Sequence, residues 1–181
     1  MDWTLFWTAF GAIGGTLGAF ATAGAVIVAL WQTKYAYKKK LKVKFDDVGS
    51  AISNSGTKIF EFVSLTVTNV GNRDVVIERW GFDLENKREA LIFSEMPING
   101  LPQVVQDAFR SKFPYTLPIE QRTSFYYEKA LFMKMIPEYC HNKELNPKKP
   151  IRFFVKDSTG RKYYCESAKK AGEYIAANEM R

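Results

Sequence analysis

At 181 residues, with 26 Lys and Arg against 19 Asp and Glu, the chain carries a net charge of +7, which suits either nucleic acid or an anionic surface. The distribution argues against nucleic acid: six of the basic residues fall between Lys34 and Lys44, and without them and Asp2 the rest of the chain holds 20 basic and 18 acidic residues. One histidine and two cysteines are too few for a structural zinc site or a disulfide framework.

From Trp3 to Trp31 no side chain is charged, a run of 29 residues. As a helix it would extend roughly 44 Å, enough for a bilayer with its interfaces. A water-soluble helix would interrupt such a run with charges on one face, whereas in lipid an all-apolar helix satisfies its own backbone. The expected divisions are a transmembrane helix over 1–33, a basic juxtamembrane collar over 34–44 that runs into the first strand, and a soluble domain over 45–181. Trp3 and Trp7 near one end and Trp31, Tyr35 and Tyr37 near the other read as interfacial aromatic belts. The collar, Lys34, Lys38, Lys39, Lys40, Lys42 and Lys44, faces an N-terminal flank of only Met1 and Asp2. Positive flanks stay in the cytoplasm, which places the N-terminus outside, the C-terminal domain in the cytoplasm, and the span in the cell's inner membrane. Small residues at Ala19, Ala21 and Ala23 resemble a signal-peptide cleavage site, but the acidic start is the wrong n-region for one.

Gly11, Gly15, Gly18, Thr22, Ala25 and Ala29 recur at alternating steps of four and three. They form one stripe of small residues, the pattern that lets helices approach closely in lipid. A homo-oligomer or a membrane-protein partner is expected there.

Leu41, Val43 and Phe45 alternate with Lys40, Lys42 and Lys44, the period of a half-buried strand. Almost no linker intervenes, so the domain is expected close to the membrane. Gly49 to Gly56 reads as a turn. Lys58 to Val70 is the clearest strand, with Val63, Leu65 and Val67 inward, and Asn69 to Arg73 turns it. Asp74 to Leu84 returns, and its change of apolar parity predicts a bulge near Glu78-Arg79. Asn86-Lys87 predicts a turn and Glu89 to Phe93 a strand. Pro97 to Pro102 reads as irregular, and Val104 to Phe109 as a short helix. Pro114 and Pro118 interrupt the next stretch. Arg122 to Tyr127 reads as a strand. Glu128 to Ile136 reads as a helix ended by Pro137, with Ala130, Leu131, Met133 and Met135 partly buried. Cys140 to Pro150 reads as a polar loop. Ile151, Phe153 and Val155 alternate with Arg152, Phe154 and Lys156, then Asp157 to Gly160 turns into a strand over Arg161 to Glu166. A terminal helix is expected over Ala168 to Glu179. The class is mainly β: an antiparallel sandwich or barrel behind the anchor, with short accessory helices and a C-terminal helix.

The segments Val67-Thr68-Asn69-Val70-Gly71-Asn72-Arg73-Asp74-Val75-Val76-Ile77 and Val155-Lys156-Asp157-Ser158-Thr159-Gly160-Arg161-Lys162-Tyr163 resemble those of uncharacterised bacterial single-pass membrane proteins. These carry a cytoplasmic immunoglobulin-like β-sandwich behind an N-terminal anchor. The resemblance implies a fold and no activity.

Catalytic chemistry finds little footing. Cys140-His141 are sequence neighbours, a poor geometry for a nucleophile and its base. Glu61, Asp83, Glu85 and Glu89 read as exposed strand and turn carboxylates. Lys148, Lys149, Arg152, Arg161, Lys162, Lys169 and Lys170 read as a solvated face. No glycine-rich phosphate loop occurs outside the span, and the span's polar groups are only Thr4, Thr8, Thr16 and Thr22, too few for a single-copy pore. No catalytic residue, metal or cofactor is expected. The leading expectation is a membrane-tethered protein-interaction module. A ligand-triggered membrane effector of a bacterial defence system, or a subunit of a larger membrane complex, are the alternatives. No small-molecule ligand is named by any motif.

Overall fold

The computed structural model describes residues 3–52, 58–92 and 112–179. The chain divides into two compact units, residues 1–38 and 39–181.

The first unit is helix α1, Trp3–Ala36. Within it, Phe10–Tyr35 is long and apolar enough to cross a membrane. The helix extends three residues beyond the expected boundary at 33, so Lys34 and Tyr35 of the collar and belt are helical. Thr8, Thr16, Thr22 and Thr33 each donate to a carbonyl three or four residues back. Their hydroxyls are therefore satisfied inside the helix.

Among its described residues the second unit contains two antiparallel sheets, two short α-helices and a 3-10 turn over Glu85–Lys87. Strands β1 (Leu41–Ile52), β2 (Lys58–Asn69) and β6 (Arg122–Glu128) form one sheet in the order β1-β2-β6. Strands β3 (Val75–Asp83), β4 (Glu89–Leu91), β5 (Tyr115–Leu117), β7 (Pro150–Asp157) and β8 (Lys162–Lys170) form the other. Its order is β4-β3-β7-β8, with β5 pairing the start of β3. Helices α2 (Lys129–His141) and α3 (Ala171–Glu179) follow β6 and β8.

Alternation builds the core. Val63, Leu65 and Val67 on β2 are fully buried, as their period-two spacing predicts. They share one apolar cluster with Trp80 and Phe82 of β3, Phe125 of β6, Phe132 of α2 and Phe153 of β7. The two sheets meet ring to ring: Phe45 stacks on Phe153 at 3.9 Å between centroids, and Trp80 lies 6.4 Å from Phe125. The parity change in β3 is a register shift between Ile77 and Arg79. Gly81 sits where β4 crosses closest, and a Cβ there would overlap the Ala90 carbonyl oxygen.

Several local expectations change. Gly49 to Ile52, expected in a turn, belong to β1, which after a register shift pairs with β2 as far as Ile52 and Lys58. Residues 53–57 lie outside the described residues, as do Phe93, the irregular stretch from Pro97 and the expected helix from Val104 to Phe109. Pro137 does not end its helix: α2 continues to His141 with Pro137 inside. Proline forfeits one backbone hydrogen bond, but the last turn is held by packing, since Tyr139 meets Phe82 edge to face at 5.4 Å. Cys140 and His141 are thus helical rather than loop. In α2, Leu131, Met133 and Met135 are buried or partly buried as expected, Ala130 is exposed, and Phe132 and Ile136 add the two fully buried side chains. A short strand, β5, occupies the stretch between Pro114 and Pro118. The terminal helix starts at Ala171, because β8 runs on to Lys170.

Candidate functional site

Three surfaces carry the expected site residues. On α1, the stripe Gly11, Gly15, Gly18, Thr22, Ala25 and Ala29 is exposed throughout. A Cβ built on Gly11, Gly15 or Gly18 would meet nothing within 4 Å, and Thr22 gives its hydroxyl proton to Gly18. The stripe therefore offers close backbone approach without a free hydroxyl. Trp3, Trp7, Trp31, Tyr35 and Tyr37 are all exposed, and Trp31 stacks on Tyr35 at 5.8 Å.

The collar is not one uniform band. Lys34 belongs to α1 and is exposed, as is Lys38. Lys39 reaches the carboxylate of Asp157 at 4.0 Å. The Lys40 carbonyl accepts a hydrogen bond from Val70. Lys42 and Lys44 point outward from β1, and Lys44 pairs with Asp46 at 2.7 Å.

The third surface was not legible as a unit in the sequence. A cleft of about 570 Å³ opens where β3 ends, β7 begins and the outer face of β8 passes. Its lining includes Asp83, Glu85, Lys149, Arg152, Lys162, Tyr164 and Glu166. Lys162 is its fixed point: the ammonium bonds Asp83 at 2.8 Å and Glu89 at 3.1 Å and lies 4.3 Å from the Phe154 ring centre. Burial pulls the Lys162 pKa down, but the bonds and charges of Asp83 and Glu89 outweigh it and leave it raised. Phe154 itself is fully buried on the outer side of the sheet, opposite Gly81 and Tyr164. Arg152 lies over the Tyr164 ring at 3.9 Å, a cation–π contact. Lys149 pairs with Glu85 at 3.2 Å. The carboxylates at Asp83, Glu85 and Glu89 are thus ion-pair partners, and so is Glu61, which meets Lys129 at 3.3 Å. Of the seven cations expected to form a solvated face, Lys149, Arg152 and Lys162 converge here. Lys169 instead pairs with Asp47 of β1 at 2.7 Å.

Nucleophilic chemistry gains nothing from the geometry. Burial pushes the half-buried Cys140 thiol up, and His141 is exposed at the end of α2. Burial pushes Cys165 up to about 12. Both thiols are protonated at neutral pH and weak as nucleophiles. Among the described residues no group of three or more His, Cys, Asp and Glu side chains is placed to hold a metal ion.

No protein-family model matches the chain, and no curated protein matches it. Among solved structures, the X-ray structure of Northeast Structural Genomics Consortium target SoR45 is similar over 71% of this chain and 80% of its own, at 10% identity and a TM-score of 0.24. A likeness at that level carries no argument about fold or function.

Proposed function

We propose that the protein is a membrane-tethered interaction module, with the β unit in the cytoplasm and the N-terminus outside. The observation that carries the reading is a contrast in burial. The apolar segment Phe10–Tyr35 has no buried residue, while the β unit encloses its own core. An exposed apolar face of that size needs a cover, and lipid, with a second small-faced helix along the glycine stripe, supplies one. The lysines beyond the span favour retention on the cytoplasmic side of the inner membrane. Two antiparallel sheets around one core support an immunoglobulin-like sandwich as the scaffold. The charged cleft beside Lys162 and Tyr164 is the surface on which a protein partner docks.

The size of that cleft also suits a small molecule, and on that reading the chain is a ligand-triggered effector whose helices cluster on binding. Membrane fractionation followed by alkaline carbonate extraction tests the tether: the full chain stays in the pellet. Release into the supernatant would overturn the proposal. Protease added to spheroplasts, with lysed spheroplasts as the control for intrinsic resistance, tests orientation: a cytoplasmic β unit survives in the intact spheroplasts and is cut after lysis.

A further inference from the structure

One end of the β unit gathers features that no single segment shows. The pairings Leu41 with Asn69 and Thr68 with Arg122 place the start of β1, the end of β2 and the start of β6 together. Val75 with Leu117 and Ile77 with Asp157 add the start of β3 and the ends of β5 and β7. The loops at this end are tied to one another. The Val70 N–H donates to Lys40 at 2.9 Å, that of Asn69 to Gln121 at 2.9 Å, that of Ile119 to the Asp74 carboxylate at 3.1 Å, and that of Ser158 to Val76 at 2.9 Å.

Two large apolar side chains project from this platform, Val70 at 46% and Ile119 at 44% exposure. Around them stand the exposed cations Lys40, Lys42, Arg73, Arg122 and Arg161, against the exposed acids Asp74 and Glu120. Apolar tips within a cationic field match the headgroup layer of an anionic leaflet, which takes side chains of both kinds. The chain also enters the β unit at this end. Four residues, 37–40, join the last residue of α1 to the first of β1.

We infer that this end of the β unit docks on an anionic bilayer surface, with Val70 and Ile119 at headgroup depth and Lys42 and Arg122 on lipid phosphates. The inference rests on the tethered reading and adds a second, peripheral attachment to it. It also leaves the cleft's Asp83, Glu85, Lys149 and Arg152, at the other ends of β3 and β7, away from the docked end.

The test uses the full chain in nanodiscs of phosphatidylglycerol and phosphatidylcholine, compared with phosphatidylcholine alone. An environment-sensitive dye is attached through Ile119→Cys in a background carrying Cys140→Ser and Cys165→Ala, and in parallel through Leu17→Cys in the span. Docking gives a blue-shifted emission at position 119 that lipid-borne nitroxide quenches in the anionic discs. The shift weakens in neutral discs and is lost when Lys42→Glu and Arg122→Glu are combined. Water-like emission at 119 with lipid-like emission at 17 would overturn the docking and leave the tether standing. Water-like emission at 17 would remove both. A 119 signal seen only in discs loaded with more than one chain, and not quenched by lipid-borne nitroxide, would identify a contact between protein copies and overturn the lipid assignment. Hydrogen exchange of the unsubstituted chain provides a readout free of mutation: protection of 70–73 and 118–122 must rise with anionic lipid, and its failure to do so overturns the inference.

Discussion

The side-chain amide of Asn69, on β2, donates a hydrogen bond of 3.1 Å to the carbonyl oxygen of Leu117, on β5, and both residues are buried. The bond joins the two sheets. The same amide donates to the Arg73 carbonyl at 2.8 Å, and its oxygen accepts from the Gly71 N–H at 3.0 Å. An apolar replacement strands two buried groups, the Leu117 carbonyl and the Gly71 N–H, at about 1–3 kcal/mol each, and frees the Arg73 carbonyl, which is only part-buried. Asn69→Leu should therefore lower the unfolding free energy by about 3 kcal/mol. Asn69→Asp should cost at least as much at neutral pH, since a carboxylate has no proton for either carbonyl. Urea unfolding of the full chain in detergent, followed by near-ultraviolet circular dichroism, measures both.

Asp157 plays the corresponding role in the β7–β8 hairpin. Its Oδ1 accepts from the Thr159 hydroxyl at 2.6 Å and from the backbone N–H of Thr159 and Arg161 at 2.9 and 3.0 Å, while Tyr163 donates to Oδ2 at 3.3 Å. Burial raises its pKa. The hydrogen bonds from Thr159 and Arg161, with the Lys39 ammonium, more than reverse this and hold it below the ordinary carboxylate value. A depressed folded pKa contributes stability above the unfolded value of about 3.9 and loses it as pH falls through the folded one. Hydrogen-exchange protection of the hairpin should therefore fall on acidification below about pH 4. Asp157→Asn should flatten that fall while costing about 1–2 kcal/mol at pH 7.

How far these contacts could be read in advance depends on their range. The long apolar helix was legible because it is set by an uncharged run alone. The strands were legible because alternation is local, and the β3 bulge because the parity of its own residues changes. The Asn69 knot, the cleft and the Val70–Ile119 platform depend on which strands become neighbours, which alternation does not encode. Phe154 shows the limit: its position alternates with buried residues and predicts an exposed ring, yet Lys162 and the facing strand cover it. At Pro137 a local rule was overruled by packing of the turn that follows it.

Lys162 supports two carboxylates at once. Lys162→Met would leave Asp83 and Glu89 half-buried and without their counter-charge, which should cost about 2 kcal/mol after allowance for their solvent contact. Because the folded Lys162 pKa is raised, its stabilisation is complete below the unfolded value of about 10.4 and is lost as pH rises through the folded one. The stability difference between wild type and Lys162→Met should thus hold from neutral pH to about pH 10 and shrink above it. Denaturation across that range, with Asp83→Asn closing a double-mutant cycle, measures the coupling.

Cys165 is raised from about 9 to about 12, first by burial and then by Glu166, against a hydrogen bond from the Phe45 backbone. The shift lowers its thiolate fraction at neutral pH about a thousandfold. The greater nucleophilicity of a more basic thiolate recovers part of this, so the net alkylation rate should be about fifty times below that of a free cysteine. Timed iodoacetamide labelling with peptide mass spectrometry resolves Cys165 from Cys140. A Cys165 rate equal to that of free cysteine would show that the β1–β8 corner opens readily.

The glycine stripe makes its own prediction because its surroundings are empty. With nothing within 4 Å of a Cβ at Gly11 or Gly15, larger side chains fit the isolated helix, so Gly15→Leu should leave helicity and membrane insertion unchanged. Backbone approach is what it blocks. Self-association of the span in a bilayer should weaken at least tenfold, about 1.4 kcal/mol, by energy transfer between labelled full-length chains. Ala29→Leu, nearer the stripe's end, should weaken it less. Equal energy transfer in wild type and Gly15→Leu would mean that the helices do not meet along this face, and the stripe would then need a different helix as its partner.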